Sequence, residues 1–79
     1  MGKAGQVLGQ VLESHGISQN KLAIVLHIER TNVYRWVNEL RDPNAETVLT
    51  IVQALKQINP VAAKEFVWLY IGKLVEDVE

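Results

Sequence analysis

The chain has 79 residues, of which 48% are apolar and 22% charged, with a formal net charge of −1. That length fits one small domain, and the apolar fraction suits a packed core and argues against a disordered chain. There is no cysteine, which excludes disulfides and thiolate zinc sites, and no apolar run approaches the ~20 residues that span a bilayer.

The opening MGKAGQVLGQ lacks the apolar centre of a signal peptide, so the expected location is the cytoplasm, with no membrane partner. The near-neutral balance is less basic than is usual for a nucleic-acid-binding domain. Its distribution is uneven: Lys21, Arg30, Arg35 and Arg41 fall within residues 21–41, whereas Glu65, Glu76, Asp77 and Glu79 lie towards the C-terminal end.

In chain order, the spacing of Val7, Leu8, Val11 and Leu12 predicts a first helix over about 3–15. Gly16 follows it, where a left-handed cap is wanted. Ser18 is a good N-cap for a second helix over about 19–26, although Lys21 rather than glutamate at its third position leaves the capping box incomplete. A turn at 27–29 separates this from a third helix over about 30–38. Glu29 is placed favourably beside the positive end of that helix. The inward positions of the pair are Leu22, Ala23, Leu26, Ile28, Val33 and Trp36.

Arg41, Asp42, Pro43 and Asn44 form a turn-rich loop, and Asn44 is placed to cap a fourth helix over about 45–58. Val48, Ile51, Val52, Leu55 and Ile58 follow its 3.6-residue period. Asn59-Pro60 ends that helix and starts a fifth, expected to run over about 60–78. Phe66, Val67, Trp68, Leu69, Tyr70, Ile71, Leu74, Val75 and Val78 cover more than one side of it. The surplus over one core-facing side marks a candidate dimer element, with Phe66, Trp68, Leu69 and Tyr70 as the tentative interface residues.

The residues G-I-S-Q-N-K-L-A over 16–23, I-E-R-T-N-V-Y-R-W-V-N over 28–38 and R-x-P over 41–43 resemble the lambda-repressor-like (Xre/Cro) family of helix-turn-helix domains. The resemblance covers roughly residues 7–55. It implies an all-α fold, a compact five-helix bundle forming one domain over 1–79, with the helix-turn-helix unit at 19–38. It also implies that the third helix enters a DNA major groove while the second braces it. Arg30, Thr31, Asn32 and Arg35 are then the base-reading candidates, and Ser18, Gln19, Tyr34, Asn38 and Arg41 the backbone-contacting ones. The side-chain chemistry agrees, because arginine donates two parallel bonds to guanine O6 and N7, worth about 1–3 kcal/mol of discrimination. The usual glycine of the turn is His27 here, a residue that enters left-handed backbone uncommonly. Ile24 and Val25 stand where polar residues are usual, and either pack under the fifth helix or lie exposed.

His15 and His27 have no neighbouring cysteine and do not suggest a metal site. No nucleophile constellation, phosphate loop or carboxylate pair is recognisable, so no enzyme activity and no cofactor are expected. The expected function is a small bacterial or phage transcriptional regulator, a nucleoid-associated repressor binding double-stranded DNA as a homodimer. The alternative is an antitoxin-like or other protein-interaction module that uses the apolar C-terminal helix.

Overall fold

The computed structural model describes residues 3–72. They form five α-helices, α1 (Lys3–Ser14), α2 (Gln19–Leu26), α3 (Arg30–Val37), α4 (Ala45–Ile58) and α5 (Pro60–Val67). Among the described residues there is no strand. The fold is the expected all-α helix-turn-helix bundle. The fifth helix differs from the expected continuous one: after Val67 the chain widens into a π-helical turn, Trp68–Gly72. The remainder of that expected helix, including Leu74, Val75 and Val78, lies outside the described residues.

One core holds all five helices. Leu8, Val11, Leu22, Val33, Ile51, Leu55 and Phe66 are fully buried and come from every one of them. Each such side chain contributes roughly 1.5–3 kcal/mol relative to an exposed one. The predicted α1 stripe is buried throughout. On α4 the buried residues are Val48, Ile51, Ala54 and Leu55, while Val52 and Ile58 are half-buried at its edges.

The predicted N-caps form. Ser18 Oγ accepts from the Lys21 N–H at 2.9 Å and Asn44 Oδ1 from the Thr47 N–H at 2.8 Å. Asn59 Oδ1 accepts from the Val61 N–H at 3.0 Å, with Pro60 opening α5. Glu29 makes no side-chain cap bond, so its contribution at α3 is one of charge alone.

Three helices end alike. Gly16, His27 and Glu39 take φ values of 63°, 60° and 59°. In each case the next residue's N–H reaches back five positions: Ile17 to Leu12 O at 2.9 Å, Ile28 to Ala23 O at 3.1 Å, and Leu40 to Arg35 O at 2.8 Å. This is the Schellman arrangement, which satisfies carbonyls that a helix end otherwise leaves unpaired. His27 thus adopts the backbone that glycine supplies in most such turns.

Two contacts across the bundle were not foreseen. A Cβ on Gly5 would stand 1.9 Å from the Trp36 carbonyl oxygen, so α1 lies against the end of α3 at a distance that only glycine permits. His15 Nε2 lies 2.6 Å from Glu65 Oε1 and ties the end of α1 to α5.

Candidate nucleic-acid interface

At 100° per residue, Arg30, Tyr34, Asn38, Thr31 and Arg35 fall within about 140° of the α3 circumference. All five are exposed. On the opposite side Val33 and Trp36 are buried, with 0% and 8% exposure, and fix the helix to the bundle. The sequence places long donors on one side of α3 and apolar groups on the other, and burial of the second set presents the first.

Asn32 stands apart from this arc. It is half-buried and lines a shallow cleft with Leu26, Ile28, Trp36, Thr47 and Thr50. Its Nδ2 is 3.5 Å from the Glu29 carbonyl, a long and weak contact. The structure therefore brings Arg30, Thr31 and Arg35 together and leaves Asn32 on the margin towards α4.

The N-terminal ends of α2 and α3 share a cleft of about 640 Å³, lined by Ser18, Gln19, Asn20, Glu29, Arg30, Thr31 and Tyr34. The first N–H groups of a helix lack intrahelical partners and carry its positive dipole end. Two such ends at one opening make it suited to an anion. Asn20 belongs to this cleft and was not singled out from sequence. Its place beside Gln19 in the first turn of α2 was the available clue.

Asn38 Nδ2 donates to the Tyr34 carbonyl at 2.9 Å, closing the end of α3. Arg41 lies exposed just beyond the Glu39 turn, its N–H donating to the Arg35 carbonyl at 3.3 Å. Among the described residues, no carboxylate pairs with the Arg30, Arg35 or Arg41 guanidinium. Over residues 18–42 the four cations Lys21, Arg30, Arg35 and Arg41 are set against Glu29, Glu39 and Asp42. The arc is basic, while its surroundings are nearly balanced.

One inward expectation is corrected. Ile28 is 36% exposed, because the His27 turn carries it out of the core, whereas Leu26 is half-buried and packs against the core. Of the two apolar residues on the bracing helix, Ile24 is 60% exposed and Val25 packs half-buried against the core. The tentative interface set also divides. Phe66 is completely buried within its own chain, which removes it as a residue that meets a partner. Tyr70 stacks on it with ring centroids 5.8 Å apart, and Leu69 packs against the core. Trp68 alone of the four is substantially exposed, at 47%.

No helix among the described residues is long and apolar enough to cross a membrane. No curated protein and no solved structure matches the chain. The family described as Helix-turn-helix matches residues 8–61, from the middle of α1 to the start of α5. That span takes in α2, α3, their turn and the core that supports them, so the chain belongs to the lambda-repressor-like (Xre) helix-turn-helix family of DNA-binding regulatory domains.

Proposed function

We propose that the chain acts as one domain, a small bacterial or phage repressor that binds duplex DNA as a homodimer. α3 enters the major groove. Arg30, Thr31 and Arg35 meet base edges, with Asn32 at the margin of that set. Ser18, Gln19, Tyr34, Asn38 and Arg41 meet the phosphate backbone. The observation that carries this reading is the solvent-facing arc of α3, whose arginines pair with no carboxylate among the described residues, on a helix whose opposite side is locked into the core. Phosphate contacts set the register and base contacts supply the sequence preference. Two-fold pairing would space two recognition helices by about one helical turn, ~34 Å.

The test is selection from random duplex DNA, followed by binding at several salt concentrations. A palindromic site with a linear fall of log affinity against log salt is expected. Failure of any duplex to enrich would rule the reading out. It would favour the second one, an antitoxin-like protein-interaction module. The exposed apolar side chains of Ile24, Trp68 and Ile71 support that alternative, and co-purification of a defined partner chain would identify it.

A further inference from the structure

The N-caps of α2, α4 and α5 turn their side chains onto their own helix. Ser18, Asn44 and Asn59 each accept a backbone N–H from its first turn. Glu29, the N-cap of α3, does not. Its backbone is held all the same. With φ −71° and ψ 141° it is extended, and its carbonyl accepts the Asn32 N–H at 3.0 Å. Glutamate is not among the favoured N-caps, which are short enough to fold back onto the helix. The Glu29 side chain is thus hung from a fixed point and is exposed. Among the described residues its carboxylate pairs with no cation and accepts no hydrogen bond. It lines the same cleft as Arg30, Thr31 and Tyr34.

We infer that Glu29 is a specificity-determining residue, which accepts a hydrogen bond from the amino group of a cytosine in the major groove. The inference rests on the reading of duplex DNA by α3 proposed above. In such a complex phosphates repel the carboxylate. Guanine O6 and N7 and thymine O4 repel it too, because they are acceptors; cytosine N4 and adenine N6 are the groove's donors. Adenine sets its N7 acceptor beside N6, so the second carboxylate oxygen meets a lone pair there. Cytosine has a C–H in that place. Entry into the groove strips water from the carboxylate, and a polar group that loses water without gaining a donor is costly. The preference therefore comes as much from rejecting acceptor-bearing bases as from attracting cytosine. Glu29 and Arg30 supply an acceptor and a donor side by side, which suits cytosine and guanine in one stretch of groove.

Selection from random duplex DNA is run on the parent chain, Glu29→Gln, Glu29→Ala and Arg30→Ala, with circular dichroism confirming that each is folded. The parent is expected to require cytosine at one position of its site, and replacing that base pair should weaken binding about tenfold. Glu29→Ala should flatten the preference at that position and leave the others, since no acceptor remains there. Glu29→Gln should turn it towards adenine, because an amide can accept from N6 and donate to N7. If both Glu29 variants keep the parent's preferred bases throughout and bind every duplex more tightly, the carboxylate only repels phosphate and the inference is overturned. A parent preference for adenine that Glu29→Ala abolishes overturns cytosine as the base read. If Arg30→Ala relaxes the selected site and neither Glu29 variant does, α3 still reads DNA and the assignment of Glu29 falls alone. A parent chain that enriches no duplex removes the reading of DNA by α3, and this inference with it.

Discussion

The outer side of α3 and the far end of α5 are both left uncovered, and they are built in opposite ways. Around α3 every support is tight. His27 and Glu39 close the helix ends before and behind it, Ser18 caps α2, and Gly5 lets α1 press on the Trp36 carbonyl. What this rigid rod presents is polar: Arg30, Thr31, Tyr34, Arg35 and Asn38. At the end of α5 the hydrogen bonding loosens into a π-turn, and the groups presented are apolar, Val67, Trp68 and Ile71. Hydrogen bonds to a partner weaken steeply with angle and distance, so donors are useful only on a fixed frame. Apolar contact is non-directional and scales with area, so it tolerates a looser one.

The comparison can be broken first at Gly5. Gly5→Ala drives a methyl into backbone and should cost about 3 kcal/mol, the upper end of overpacking effects, read as a shift in the urea midpoint. Gly9→Ala is the control. Its Cβ would meet only the Val37 side chain, Cγ1 at 3.0 Å and Cβ at 3.9 Å, and a helix-interior alanine gains roughly 0.5–1 kcal/mol over glycine, so the net change should be small. Equal losses at both positions would contradict the argument that backbone bars a Cβ at Gly5 whereas only a side chain meets one at Gly9.

Arg30→Ala and Arg35→Ala should each weaken binding to a selected duplex by about 1–3 kcal/mol and relax preference at one base pair. Folding stability should stay within about 0.5 kcal/mol of the parent. Unchanged affinity in both variants would remove α3 as the reading element. Ser18→Ala should cost about 1 kcal/mol of stability through the lost cap, seen in thermal or urea unfolding, and an unaltered midpoint would mean that water replaces the cap without loss. The smallest effect is a gain. His27 is exposed and left-handed, a conformation costing a side chain ~1–2 kcal/mol. His27→Gly gives part of this back through unfolded-chain entropy and should stabilise by about 0.5 kcal/mol. A loss instead would reveal a contact made by the imidazole.

The fold was largely legible because its information is local. Periodicity located α1 and α4, and Gly16, Ser18, Asn44 and Asn59-Pro60 marked boundaries through their own backbone chemistry. The exposed arc of α3 followed from the same 100° spacing. What could not be read depends on neighbours distant in sequence. Gly5 carries no mark that its missing Cβ makes room for the Trp36 carbonyl. His15 and Glu65, fifty positions apart, gave no pattern linking them. Glu39 is a residue type that rarely takes left-handed backbone, so nothing in its identity signalled the turn. Ile28 was misplaced because its exposure is decided by the His27 backbone rather than by periodicity, whereas the same 100° spacing already sets Asn32 at the edge of the exposed arc. Phe66 was one of many apolar residues on α5, and only packing determines which of them face inwards.

The interleaving of Arg30, Arg35 and Arg41 with Glu29, Glu39 and Asp42 has a bearing on how such a domain would search a chromosome. Sequence-blind adhesion to DNA comes almost wholly from net positive charge displacing counterions. A surface with four cations and three carboxylates over residues 18–42 has little of that adhesion to offer. Random encounters would end quickly, few molecules would be sequestered on irrelevant sequence, and long occupancy would be reserved for sites whose base edges complement the two guanidinium groups.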